Sequence, residues 1–172
     1  PQTGNANYAW ILNMVSKLSD NGVAGFILAN GALSGGSEEY KIRKKLIENG
    51  LVETIVILPP NMFYTTTISV TLWIVNKNKS ERTVQLNDVV KNYRERKDEF
   101  LFMDLREIGI PLEKKFIQFS DDHIQQITST YHNWRNAQPV EQYEDIVGFC
   151  KSASIGEIAT HDYVLTPGRY VG

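Results

Sequence analysis

The chain has 172 residues, 42% of them hydrophobic, which is enough for one core and cramped for two full domains. Its 18 Lys and Arg against 20 Asp and Glu leave a net charge of −2, so no global positive field marks an autonomous nucleic-acid-binding module, although local phosphate contacts need only a few basic side chains. The single cysteine, Cys150, excludes an intramolecular disulfide, no Cys/His cluster has metal-ligand spacing, and no apolar run approaches the roughly 20 residues that span a bilayer. With no basic-then-apolar segment at the start of the chain, a reducing, cytoplasmic setting with no membrane partner is expected.

In chain order, Trp10, Ile11, Met14, Val15 and Leu18 share a helical spacing and predict the apolar stripe of an amphipathic helix that stops at Asn21-Gly22. Val23 to Ala29 is apolar without alternation, as in a strand covered on both faces, and Asn30-Gly31 closes it. A helix follows, with Ser37 as its predicted cap, Glu38 and Glu39 in its first turn and Gly50 at the left-handed position beyond its end. Val52 to Leu58 reads as a second buried strand, and strand-helix-strand with short links predicts a parallel pair joined by a right-handed crossover. Ile68 to Val75 comes too soon for another crossover helix, so it should pair antiparallel with a neighbour.

Lys77 to Glu99 is charge-rich, with one apolar cluster at Leu86, Val89 and Val90, and reads as an exposed connection holding one helix. Asp88 and Glu95 to Glu99 read as its solvated face. Phe100 to Asp104 is a further short strand. Ser120 and Asp121 open a helix on which Ile124, Ile127, Tyr131 and Trp134 repeat, and from Pro139 onward the chain reads as an irregular tail. The expected organisation is a partial α/β domain over 1–119, two parallel strands plus an antiparallel one, followed by a C-terminal helix and tail over 120–172.

The chemistry is defined as much by what is missing. No Gly-x-Gly-x-x-Gly turn follows a strand, and Gly31, Ser34, Gly35 and Gly36 carry neither dinucleotide spacing nor a P-loop Lys. No Gly-x-Ser-x-Gly elbow exposes a serine nucleophile. His123, next to Asp122 at a helix start, reads as a capping-region residue; His132 and His161 are scattered and receive no role. Asp104, with Arg106 and Glu107, stands at a strand end and reads as a local turn and ion pair. No catalytic, cofactor-binding or metal-ligating residue is assigned within these residues. One segment stands apart: Leu58-Pro59-Pro60-Asn61-Met62-Phe63-Tyr64, directly after a buried strand. Its prolines remove donors and fix φ, so the ladder ends there and adjacent aromatics are presented at the carboxyl edge of the sheet, where open α/β folds bind ligands.

The motifs Gly4-Asn5-Ala6-Asn7-Tyr8-Ala9-Trp10-Ile11, Gly25 to Ser34, Leu58 to Tyr64 and Thr166-Pro167-Gly168-Arg169-Tyr170-Val171-Gly172, in that order, resemble the modification subunit of type I restriction-modification systems, an adenine-N6 DNA methyltransferase family. Phe102 to Glu107 and Tyr131-His132-Asn133-Trp134-Arg135 extend the resemblance over nearly the whole chain. It implies the later part of a class I S-adenosylmethionine-dependent methyltransferase (Rossmann-like) sheet. It also implies methyl transfer from S-adenosylmethionine to the exocyclic amine of an adenine rotated out of DNA. The resemblance further implies that Phe63 takes the position that stacks on the extruded base, with Asn30, Gly31, Asn61 and Tyr64 in loops beside it. Implied partners are DNA, a specificity subunit, a restriction subunit and the earlier part of the same chain.

Two departures accompany the resemblance. The family's donor-binding Gly-rich motif and its Asn-Pro-Pro-Phe tetrapeptide have no counterpart here, since Pro59-Pro60-Asn61 has the reverse order, and Thr65-Thr66-Thr67-Ile68-Ser69 stands where a Gly and a Pro are common. These 172 residues alone are therefore expected to be inactive and not to bind S-adenosylmethionine. A non-enzymatic interaction module built on the same late strands is the alternative reading.

Overall fold

The computed structural model describes residues 6–113 and 115–172, so Gly4 and Asn5 of the first motif fall outside the described residues. The elements are α1 (Asn7–Lys17), β1 (Val23–Ala29), a 3-10 turn (Asn30–Leu33), α2 (Ser37–Glu48), β2 (Val52–Ile57), β3 (Val70–Asn76), β4 (Arg82–Leu86), β5 (Val89–Tyr93) and β6 (Glu99–Asp104). They continue with β7 (Ile110–Leu112), β8 (Phe116–Gln118), α3 (Asp121–Arg135), β9 (Cys150–Ser154), α4 (Ile155–Thr160) and α5 (Gly168–Val171). Five strands form one mixed sheet in the order β1-β3-β2-β6-β9, in which only β2 and β6 are parallel neighbours.

β3 runs antiparallel to its neighbours, as the short connection from β2 requires, but it inserts between β1 and β2 and pairs with both. The expected adjacent parallel pair is corrected accordingly: β1 and β2 point the same way with β3 between them. That insertion makes β1 an edge strand, contrary to the expectation that both its faces are covered. Ala24, Phe26 and Leu28 pack on the core while Val23 and Ile27 keep 43% and 46% of their surface in contact with solvent. An unalternating apolar run is compatible with either location, because it says nothing about which face a neighbour covers.

Period-two alternation sends side chains to two cores. On one face, Ile55, Trp73, Phe100 and Phe102 meet Tyr8, Ile11 and Val15 of α1 and Leu46 and Ile47 of α2. On the other, Val56, Leu101 and Met103 lie with Trp134 of α3. The buried stripe of α1 is Tyr8-Ile11-Val15; Trp10, counted in it from sequence, is 60% exposed, since one position from Ile11 already turns about a quarter of the way round a helix. α2 begins after Gly36, whose backbone rather than a Ser37 hydroxyl leads in, and Ser37 itself takes φ +51°; Gly50 adopts φ +66° as expected.

Ser120 caps α3 in a reciprocal box: its Oγ accepts from the His123 N–H, and its own N–H donates to His123 Nδ1, both at 3.2 Å. His123 is thus a capping residue.

Two further regions differ from expectation. Residues 82–93 form the β4–β5 hairpin rather than a helix, with Leu86 opposite Val89 across a two-residue Asn87-Asp88 turn in which Asn87 takes φ +54°. Arg96, placed by sequence on a solvated face, is fully buried and paired with Glu53 of β2. The segment after Pro139 is also more ordered than an irregular tail: β9 pairs antiparallel with β6, and Tyr170 of α5 stacks on Phe102 with ring centroids 4.0 Å apart.

A candidate substrate-contact edge

The carboxyl ends of β1, β2 and β6 and the start of β3 share one edge of the sheet, and most of the residues singled out from sequence gather there. Asn30 follows β1 directly, and its Oδ1 accepts from the hydroxyl of Thr71 on β3 at 2.6 Å, tying the two strands where the edge opens. Gly31 is exposed, and a Cβ there would meet nothing within 4 Å, so open space rather than backbone strain surrounds it.

The loop from Leu58 to Ser69 is closed by local bonds. Leu58 N–H still donates to Val70 at 2.9 Å; the two prolines then end the ladder and Asn61 turns the chain at φ +58°. Phe63 and Thr66 form an isolated bridge, with the Thr66 N–H donating to the Phe63 carbonyl at 3.3 Å. The β7–β8 hairpin braces this loop, because the Ile117 N–H donates to the Asn61 carbonyl at 3.0 Å and Phe116 sets its ring against Tyr64 with centroids 4.5 Å apart. Phe63 is half-buried against the core cluster that contains Val56 and Leu58, whereas Tyr64 is 81% exposed. The structure therefore brings Asn30, Gly31, Asn61, Phe63 and Tyr64 to the same edge.

Asp104 and Arg106 stand at the end of β6 and hold each other, Arg106 Nε to Oδ1 at 2.9 Å and Nη2 to Oδ2 at 2.6 Å, the local ion pair read from the sequence. In the Gly35-Gly36 turn a Cβ on Gly35 would lie 1.7 Å from Glu39 Oε2, whereas Gly36 faces open space in a cleft lined also by Tyr40, Asp162 and Val164. The buried guanidinium of Arg43 donates to the carbonyls of Gly35 at 2.8 Å and Tyr163 at 2.7 Å. Among the described residues no group of three or more His, Cys, Asp or Glu could hold a metal ion, and no helix is long and apolar enough to cross a membrane.

Sequence reasoning missed Arg43 and Glu53. Glu53 is a charge inside the apolar run from Val52 to Leu58, and that interruption was the available signal, because a carboxylate there must find a buried partner.

A mixed sheet with a returning strand inserted between two co-directional ones, and an aromatic loop at its carboxyl edge, defines the class: an α/β protein, a class whose open sheets bind ligands at that edge. The family model described as N-6 DNA methylase matches residues 1–172, and the chain belongs to that family. It is 41% identical to the type I restriction enzyme HindI methylase subunit of Haemophilus influenzae, over 100% of this chain and 35% of that protein. It is 38% identical to the MjaIX methylase subunit of Methanocaldococcus jannaschii, over 100% of this chain and 28% of that one. The chain thus spans about a third of the length of the curated relatives it matches. Among solved structures, the type I restriction-modification methyltransferase subunit of Streptococcus thermophilus superposes with a TM-score of 0.79 at 30% identity, covering 99% of this chain and 31% of that one. The EcoKI M protein, at 16% identity and a TM-score of 0.68 over 93% of this chain and 36% of that one, shows the shared fold.

Proposed function

We propose that these residues form the later part of the methyltransferase domain of a type I modification subunit, which transfers a methyl group from S-adenosylmethionine to adenine N6 in a specific DNA sequence. Family membership over the whole chain and 41% identity to a methylase subunit support this reading. The observation that carries it at residue level is Phe63: a half-buried ring on a braced loop at the carboxyl edge, available to stack on a base extruded from the duplex. Asn30, Gly31, Asn61 and Tyr64 border that position. Residues 1–119 supply the late strands and 120–172 a C-terminal segment that closes the sheet at β9.

S-adenosylmethionine supplies the methyl group in the complete enzyme, and the lack of the family's donor-binding Gly-rich motif in residues 1–172 supports the reading that they do not bind it alone. At the turn over 34–36 the Glu39 side chain fills the space over Gly35 and Arg43 takes the Gly35 carbonyl, while Gly36 faces open space. The donor pocket and the residues that polarise the adenine amine are assigned to the remainder of the longer protein, and no transfer step is routed through the residues described here. The edge of β1 left unpaired among the described residues suits pairing with a strand from that remainder. DNA, a specificity subunit and a restriction subunit are the further partners, in the cytoplasm.

In the complete enzyme, Phe63→Ala should lower methylation by the loss of about 1–3 kcal/mol of base stacking while donor binding persists. Unchanged turnover of the target sequence would return Phe63 to ordinary packing. For residues 1–172 alone, calorimetry with millimolar S-adenosylmethionine should show no saturable heat, and a clear binding isotherm would refute the division of labour.

A further inference from the structure

Next to Phe63 the loop carries a second ring with a different environment. Phe63 packs inward, whereas Tyr64 is 81% exposed. An aromatic side chain left in water but held in place is poised for a planar partner, because little conformational entropy remains to be lost when it stacks. Tyr64 is held: Phe116 meets it at a 62° interplanar angle, the hairpin carrying Phe116 is bonded to the loop through Ile117 and Asn61, and the Phe63–Thr66 bridge closes the turn on the other side. The surroundings suit nucleic acid. Residues 58–70 carry no charged side chain, so no carboxylate on the loop repels phosphate, and exposed Thr65 and Thr67 follow Tyr64 with hydroxyls that can donate to phosphate oxygens.

We propose that Tyr64, buttressed by Phe116, is a second DNA-contacting residue that stacks within the opened duplex beside the position the adenine leaves. It rests on the reading of Phe63 as the residue that receives the extruded base. The two rings then divide the work: Phe63 stabilises the base outside the helix, and Tyr64 offsets the stacking lost inside it. Residues of the second kind matter in proportion to the cost of opening, which falls when the target base is already unpaired.

The test uses the complete modification enzyme with its specificity subunit and two duplexes, one with the target adenine paired to thymine and one with an abasic site opposite it. Tyr64→Ala should lower methylation of the paired duplex about tenfold or more, the equivalent of one stacked base, and recover to near wild-type rates on the abasic duplex. Tyr64→Phe should behave as wild type on both, and Phe116→Ala should fall between Tyr64→Ala and wild type on the paired duplex. Phe63→Ala should be impaired on both. Tyr64→Ala equal to wild type on paired DNA, equally impaired on the two duplexes, or defective in subunit assembly by light scattering overturns the proposal while leaving Phe63 in place. Phe63→Ala active on both duplexes removes the base-stacking reading and the Tyr64 proposal with it. Because Tyr64 is exposed, its variants should melt like the parent, which separates contact from folding.

Discussion

Glu53 and Arg96, 43 positions apart, form an ion pair at 3.1 Å in which neither side chain reaches solvent. The remaining oxygen capacity of Glu53 is taken by Asn76 Nδ2 at 2.7 Å and by the Tyr131 hydroxyl, so β2, β3, α3 and the segment before β6 converge on one carboxylate. Burial by itself pushes the Glu53 carboxyl up; the Tyr131 hydrogen bond and the Arg96 and Arg135 charges outweigh it and hold it below the ordinary carboxylate range.

Glu53→Gln should therefore destabilise the fold by about 3–5 kcal/mol in urea unfolding, because Arg96 is left buried without its counter-charge. A double variant, Glu53→Met with Arg96→Met, should cost less than Glu53→Gln alone. The depressed carboxyl also sets a sign: its contribution is present above the ordinary carboxylate pKa and lost as pH falls through the lower folded value, so the parent's acid limb should be steeper than that of the double variant.

Lys79 gives a pH dependence of the same sign in an alkaline window. Its Nζ donates to the carbonyls of Val52 and Glu99, both at 2.9 Å, and lies 4.0 Å from the Phe100 ring centroid; burial pushes its pKa down to about 8 from 10.5. Between those values the unfolded chain holds a proton that the folded one has released, so stability rises with pH through that window. Relative to Lys79→Met, the parent should gain on the order of 3 kcal/mol between pH 8 and 10.5, read as the change in the difference between their unfolding free energies. A difference that stays flat across the window would show that Lys79 does not titrate inside the fold.

The C-terminal segment should be integral to stability. Trp134 is fully buried and its Nε1 donates to Ser152 Oγ on β9 at 2.8 Å, and Tyr170 covers Phe102 of β6. Trp134→Ala and Tyr170→Ala should each cost about 3–5 kcal/mol, measured by chemical denaturation. Wild-type stability in a chain truncated after Arg135 would contradict the place of β9 in the sheet.

β1 leaves one edge unpaired among the described residues, with Val23 and Ile27 exposed on it. Residues 1–172 expressed alone should self-associate with rising concentration, and Ile27→Lys should suppress this, since a charge on an edge strand disfavours further pairing. Light scattering that reports the same monomer mass at all concentrations for the unsubstituted chain would reject the idea.

The sequence by itself determined the elements whose signals are local. Ser120 before a periodic run announced α3, Gly50 marked the end of α2, and the two prolines after Leu58 marked the end of the second strand and located the aromatic loop that carries Phe63 and Tyr64. Each of these depends on a few neighbouring backbone groups, so a short window contains the cause. Helical spacing also located α1 and α3, but the apolar cluster of Leu86, Val89 and Val90 in a charge-rich stretch, read as holding a helix, sits at the tip of a hairpin.

Only the tertiary structure decided the rest. That β3 enters between β1 and β2, that the polar stretch Cys150–Ser154 is a sheet strand, and that Arg96 is buried rather than solvated all depend on partners tens of residues away. A backbone N–H or a guanidinium carries no mark of which distant acceptor will satisfy it. The same holds at the candidate site: the order of residues 58–64 predicted an aromatic wall, but that Phe63 packs inward on the core while Tyr64 faces solvent against Phe116 of the β7–β8 hairpin depends on partners distant in the chain.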